Sequence, residues 1–352
     1  MVASLSSDLE ALDAPSVRPA TPGDIEDIIK LVRELWPKIS PDEFRAAFNP
    51  PWWHEAPQIG FVIIAGGKLV GFLGTVCASR VVDGQSLETA NLTCWYVRPE
   101  HRTSSLSLLQ AVMRTGRTIT VVTPAPLTRQ LMTTLGFKPL EQERYVYFPF
   151  LNLDTLFRGK DVELITEPSA IAPYLDAPHR TILKDHVNTG THHYLLRAGE
   201  EYCYLITTRR MRNIIPRRVA DRCSRLIESV LPGARNGSSN TQDTDQNGRA
   251  DDAGQTSSVW RRLSEKISAL AQVPLSEVLF CSNPDLLRCH LERVKLGILW
   301  HDKSIALLGD QRFFGAKAPF GLRFEAPKYY RGGSLTPQQL DNLYTEIVLL
   351  PI

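Results

Sequence analysis

The stretch Trp95–Gln110, WYVRPEHRTSSLSLLQ, holds residue types that can grip an anion. An apolar strand ending at Val97 runs through Pro99 and Arg102 into a helix that begins near Ser104. A helix start offers unspent backbone N–H groups and the positive end of its dipole. Arg102 adds a forked, permanently charged donor suited to phosphate. Thr103, Ser104, Ser105 and Ser107 are small and can donate as well, with Leu106 between them. An N-capped helix with a solvated Arg fits the same residues.

Acid–base candidates near this junction are few. By strand alternation Thr89, Asn91, Thr93 and Trp95 share one polar face, and Ala90, Leu92, Cys94 and Tyr96 share an apolar one that reads as core. Glu88 and His54 are the nearest groups in sequence able to take a proton, although solvated side chains would look the same. His54 lies in the loop PPWWHEAP, whose Trp52 and Trp53 could stack on a ligand or close the core edge. His192 and His193 are adjacent in a strand, so their rings point to opposite faces, and no metal site is expected. The run DTDQNG, with Asp243, Asp245, Asn247 and Gly248, imitates a calcium loop. Gly254 stands where a bidentate acid is needed, so no calcium is expected either.

The elements that must position the junction follow from patterning. Thr21, Pro22 and Asp24 open a helix whose Ile25, Ile28, Ile29, Val32 and Leu35 form one face. Ser40 and Glu43 form a capping box. Gly66-Gly67 and Asp83-Gly84 are hairpin signals between β-rich runs. The order β-α-α-β-β-β-α-β-α-β fills about the first 150 residues. The second half repeats parts of it: a strand at DVELI, a helix capped by Asp176, a hairpin at Ala198-Gly199, then strand–helix–strand from SEVLF onwards. The tail TPQQLDNLYTEIVLL reads as an amphipathic helix.

The chain has 352 residues, 43% hydrophobic and 22% charged, with a formal net charge of +2. That length suits two domains of a soluble globular protein, and that charge demands no nucleic-acid partner. No apolar run is long enough to span a bilayer, and residues 1–15 read as a disordered lead-in rather than a signal peptide. Six cysteines without a CxxC spacing favour reduced thiols and a cytoplasmic location. Residues 232–258 lack apolar side chains and are expected to be a disordered insertion. The stretch holding Arg209, Arg210, Arg212, Arg217, Arg218, Arg222 and Arg225 could hold a polyanion, or be a solvated basic face; it lacks the interleaved aromatics of single-strand binders.

The order of elements, the Val-x-Pro-x-x-Arg spacing of Val97, Pro99 and Arg102, and the Leu135-Gly136-Phe137 helix ending together resemble the GNAT acyltransferase superfamily over roughly residues 16–150. The resemblance implies an α/β acyl-CoA N-acyltransferase fold on a mixed sheet, and extends to tandem proteins of bacterial type. It implies two GNAT-like domains, 16–155 and a degenerate 160–352, with acyl-CoA held by the first alone, because the second half's LFCSNPDLL junction lacks the Arg. In that family Trp95, Tyr96 and Val97 would meet the pantetheine arm of acetyl-CoA or another acyl-CoA. Arg102, Thr103, Ser104, Ser105, Leu106 and Ser107 would cradle its pyrophosphate, with Thr123 counted among the cofactor contacts.

The chain departs from the family where serines 105 and 107 replace glycines. Met132 stands where a Tyr acid is frequent, and Asn91 where a Glu base is found. The implied reaction is acyl transfer to an amine of a small molecule or amino sugar. Asn91, Glu88 and His54 are the catalytic candidates, or the amine loses its proton through water. Two alternatives are a non-catalytic module that binds a partner or senses acyl-CoA, and a tandem aminoacyl transferase using charged tRNA on the Arg-rich stretch. The acceptor, the acyl chain and the oligomeric state are left open.

Overall fold

The computed structural model describes residues 15–53, 58–82, 84–148, 162–213, 272–315, 321–333 and 335–351. His54, the lead-in, the calcium-like run and the Gly/Asn-rich insertion lie outside the described residues, as do Arg217, Arg218, Arg222 and Arg225.

In the first half β1 (Ser16–Pro19), α1 (Ile25–Arg33) and α2 (Pro41–Ala47) precede β2 (Gly60–Ala65), β3 (Lys68–Val82) and β4 (Gln85–Val97). They are followed by α3 (Ser105–Met113), β5 (Thr118–Val121), α4 (Pro126–Thr134) and β6 (Lys138–Tyr147). This is the order expected from patterning. Ser40 Oγ accepts from Glu43 N at 3.2 Å and Glu43 returns a bond to Ser40 N, so the capping box forms as anticipated. Gly60 lets β2 approach β3. Its φ is +134°, and a Cβ there would stand 2.1 Å from Leu73 O. Gly60→Ala is expected to cost at least about 1–3 kcal/mol, read as a lower thermal midpoint; an unchanged midpoint would mean the strands have room to part.

The second half runs β7 (Val162–Ile165), α5 (Ala177–His186), β8 (Thr191–Ala198), β9 (Glu201–Asn213), β10 (Gln272–Cys281), α6 (Pro284–Cys289), α7 (Leu291–Asp302), β11 (Ala306–Asp310) and β12 (Gly321–Arg331). Asp176 Oδ1 caps α5 by accepting from His179 N, and Asn283 Oδ1 caps α6 by accepting from Leu286 N.

Among the described residues, the twelve strands join one mixed sheet in the order β1-β2-β3-β4-β5-β12-β6-β11-β10-β9-β8-β7. Among the described strands only β4–β5 and β10–β11 pair in parallel. Pairing therefore repeats: four antiparallel strands, then a parallel neighbour, in each half. The last strand of each half has crossed over. β12 sits between β5 and β6, and β6 pairs with β12 and β11 rather than with β5.

The tail is not the amphipathic helix its spacing suggests. It is a 3-10 turn, Pro337–Gln339, an irregular bent run, and a single helical turn, Glu346–Leu349. Its apolar residues are buried, but against different clusters. Leu343, Tyr344 and Ile347 pack with Trp52, Val76, Val122, Leu195 and Leu279 from both halves, and Leu350 packs under α1 and α2. Each such side chain contributes about 1.5–3 kcal/mol of burial, more than one short helix would gain. Arg80 is ion-paired with Asp341 and donates to Gln339 O at 3.2 Å, pinning the tail to β3.

Where the halves meet, charge is buried. Asp310 accepts from Lys328 Nζ at 2.6 Å and from Asn342 Nδ2 and Arg312 Nη2 at 3.0 Å each, with Arg144 Nε 3.2 Å away. Arg144, on the crossed-over β6, also donates to Glu277 at 2.6 Å. Asp310 and Glu277 are fully buried. The surrounding cations hold both carboxyls below their usual range despite burial. Lys328 is pulled down to about 8 by burial.

Candidate functional site

β4 is interrupted where the junction begins. Gly74 pairs with Thr93 and Phe72 with Tyr96, so β4 carries a bulge spanning Cys94 and Trp95. Cys94 adopts φ 50°, a region costly for a side-chain-bearing residue. The bulge resets the alternation. Trp95 joins Leu92 and Val97 in the cluster under α3, while Cys94 and Tyr96 turn toward α1 and α2. The single polar face expected for Thr89 through Trp95 is thus broken at Cys94, a shift that strict alternation cannot anticipate.

β4 also leaves its parallel neighbour. Thr89, Ala90 and Asn91 pair with Thr118, Ile119 and Thr120, and pairing stops there. Residues 92–97 keep a strand on one side only, that of β3. The opened edge leads through Arg98 into a 3-10 turn, Pro99–Ser104, and then α3. The chain is therefore helical from Pro99, earlier than the Ser104 start expected. His101 N donates to Arg98 O at 2.9 Å, and Ser105 N donates to Arg102 O in the same winding.

The individual side chains divide. Trp95 Nε1 donates to Ser105 Oγ at 2.9 Å, and Ser107 Oγ donates to Ser104 O at 2.5 Å, so the serines standing where glycines are usual have their hydroxyls engaged within the turn. Arg102 and Thr103 are exposed, as is Leu106. Val97 is core. Tyr96 Oη donates to Glu34 at 3.0 Å, alongside the Arg98–Glu34 ion pair, so its ring belongs to the α1 face rather than the opened edge. A surface groove of about 420 Å³ follows α3, lined by Val17, Phe61, Ser107, Gln110 and Arg114 among others. It borders the helix and not the opened edge of β4.

Of the acid–base candidates, Glu88 is an exposed side chain 3.6 Å from Arg117, a solvated pair away from the opening. Asn91 is fully inside. Its Nδ2 donates to Thr120 O and Oγ1, both at 3.2 Å, at the last paired rung before β4 and β5 part. Its Oδ1 accepts from Glu346 N at 3.1 Å. Thr123, expected among cofactor contacts, donates to Glu346 Oε1 at 2.5 Å. Glu346 Oε2 is buried without a hydrogen-bond partner among the described residues. Burial pushes this carboxyl up to about 7, against the opposing pull of the Thr123 hydrogen bond, Arg210 and Lys328. A carboxylate thus stands at the parting of β4 and β5, delivered by the tail from the far end of the chain. The sequence carries no local signal for it, since only the docking of the tail brings it there.

Trp52 and Trp53 both donate their indole N–H to Cys77 O, at 3.1 and 2.9 Å, and Trp52 packs on His186 and Tyr344, closing the core. Met132 is core. Arg210 is buried, 3.6 Å from Glu277, and Arg212 is 3.9 Å from the same carboxylate, so these two arginines answer a protein charge. The described cysteines are free thiols, with Cys203 and Cys281 Sγ 3.5 Å apart. Among the described residues no helix is long and apolar enough to cross a membrane.

No family model matches the chain, and no curated protein matches it in sequence. Among solved structures it is similar to the GCN5-related N-acetyltransferase from Anabaena variabilis, with a TM-score of 0.50 at 11% identity over 90% of this chain and 72% of that one. The corresponding protein from Kribbella flavida gives 0.49 at 10% identity over the same shares. A probable N-acyltransferase from Enterococcus faecalis gives 0.48 at 10% identity, again over 90% and 72%. With its mixed α/β sheet and this likeness over nine-tenths of its length, the chain has the fold of the GCN5-related N-acetyltransferases.

Proposed function

We propose that the chain is an acyl-CoA-dependent N-acyltransferase, with acetyl-CoA or a longer acyl-CoA as co-substrate and an amine of a small molecule or amino sugar as acceptor. One observation carries this reading: β4 is bulged at Cys94 and parts from β5 after Asn91, with the Glu346 carboxylate at the opening. The one-sided β4 edge from Trp95 to Val97 supplies backbone groups for the amides of a pantetheine arm. Arg102, exposed beside the α3 start, supplies a charge for the pyrophosphate. In the reaction the amine nitrogen attacks the thioester carbonyl carbon, and the C–S bond breaks. Glu346 takes the amine proton. CoA leaves as thiolate, because Met132 offers no proton where an acid would stand.

The two halves, 16–155 and 160–352 in chain order, are read as two domains of one kind with exchanged last strands. The acyl-CoA belongs to the first, since Arg102 has no counterpart at the β10–α6 junction. Free thiols fit a reducing, cytoplasmic setting.

The test is calorimetric titration with acetyl-CoA and a longer acyl-CoA. Binding is expected in the wild type and about ten-fold weaker in Arg102→Ala, the size of losing one charge-assisted contact. No binding of either ligand would sink the reading. Binding without turnover on any amine would leave the fold as a sensing module.

A further inference from the structure

Four electronegative atoms converge in the second half, on residues the proposed reaction does not use. Asp302, at the end of α7, is fully buried as a side chain. Its Oδ2 accepts from Thr207 Oγ1 at 2.9 Å and Ser276 Oγ at 2.6 Å, which fixes the carboxylate plane. Its Oδ1 faces His192 Nδ1 at 2.5 Å and His301 Nδ1 at 3.3 Å. Tyr194 Oη donates to the same oxygen and lies 3.0 Å from His301 Nδ1.

Hydrogen bonds and ion pairs hold this cluster together, and its donor atoms also suit a cation. His192 Nδ1 is buried and faces Asp302 Oδ1 as its ion-pair partner, with no second partner among the described residues. Tyr194 spends its proton on Asp302, and its contact with His301 Nδ1 takes its direction from the tautomer of that ring. The two imidazole rings lie nearly perpendicular, 84° apart, with centroids 5.6 Å apart, so they do not stack. The ligand atoms of His192, His301 and Asp302 all fall within 4.8 Å of one another. His192 and His301 are partly exposed, which leaves a path from solvent.

We propose that His192, His301 and Asp302 form a binding site for a divalent transition metal, with Zn²⁺ the best chemical match. Two imidazole nitrogens and one carboxylate oxygen are a frequent three-ligand zinc set, with a fourth position left for water. Each ring then carries its proton on Nε2, freeing Nδ1. Thr207 and Ser276 play the orienting part that hydroxyls and carbonyls take around ligating carboxylates. The ion would clip β8 to the end of α7, which turns sharply at Lys303 with φ 50°. This proposal does not depend on the acyltransferase reading, because it shares no residue with the opened edge of β4.

Alternation along β8 separates His192 from His193. His193 does point away, bonding to Thr191 and Tyr204. The partners of His192 come from α7 instead, which only the fold brings near. Nearby charges act both ways: Asp302 raises the affinity of His192 for protons, and Arg209 opposes any cation there.

The test is titration of the untagged, metal-stripped chain with Zn²⁺, followed by calorimetry, and with Co²⁺, followed by its visible ligand-field absorption. One equivalent is expected, at micromolar affinity or better. His192→Ala and His301→Ala, both at partly exposed positions, should each weaken binding at least ten-fold with the far-ultraviolet circular dichroism unchanged. Lowering the pH from 8 to 6 should weaken it too, because protons compete for the same nitrogens. Three results would overturn the proposal: no saturable binding, affinity unmoved by His301→Ala, or binding lost in Cys289→Ser, the exposed thiol, instead of in the histidine variants.

Discussion

Glu346→Gln is expected to lower acyl-transfer turnover by about 10²–10⁴-fold, the usual worth of a positioned proton acceptor, while leaving acyl-CoA affinity within a factor of two or so of wild type. Gln keeps the backbone N–H that Asn91 accepts from, and its amide can still receive the Thr123 hydroxyl. Only the basic oxygen is lost. The pH profile separates this role from a structural one. Burial holds the carboxyl near pH 7, so wild-type kcat/KM should climb through that region and level off above it. The variant should lose that limb. Stability carries the matching sign. A carboxyl whose folded pKa lies above its unfolded value favours folding below the unfolded value, near 4.3, and that contribution fades as pH rises through about 7. At pH 8 the Gln variant should therefore be at least as resistant to urea as the wild type. A variant that keeps full turnover, or one that loses urea resistance at pH 8, would remove Glu346 from the chemistry.

The second large effect concerns the charges buried between the halves. Asp310→Ala is expected to cost about 3–5 kcal/mol, since it strands Lys328, Arg312 and Arg144 without their shared counter-ion. The measurement is the free energy of unfolding in urea, alone and combined with Lys328→Met. Removing both partners should cost less than Asp310→Ala alone, because fewer charges are left unanswered. If the single variant unfolds like the wild type, the network is dispensable. Asp310 titrates well below its ordinary range, so its contribution is present above the unfolded value near 3.9 and is lost only as pH falls far below it.

The first half was legible element by element, because each strand and helix there announces itself locally. Ser40 with Glu43 caps a helix, Gly66-Gly67 turns a hairpin, and the Val97–Pro99–Arg102 run closes a strand and opens a helix. What escaped the sequence is what depends on partners. Cys94 sits in a bulge although it is not a glycine, so nothing warns that alternation slips there. The tail's apolar spacing fits a helix, yet each side chain is claimed by a different cluster, and tertiary burial outweighs the local pattern. Glu346 and Asp302 are ordinary acids in ordinary helical runs until the fold sets one beside Asn91 and the other beside His192. Periodicity identifies β6 and β12 as strands, but which neighbour a strand takes is not written in its own residues.

The crossing of those two strands bears on how the polypeptide matures during synthesis. When the ribosome has made the chain through Tyr147, β5 is paired with β4 on one edge only, and its other edge waits until residues 321–331 emerge. An open edge of that kind invites pairing with other chains. The nascent protein must therefore carry an unfinished first half through most of its translation, and completion of both halves becomes one late, concerted event. Truncations that end after Tyr147 should be insoluble rather than merely inactive, and separately expressed halves should become soluble only when produced together.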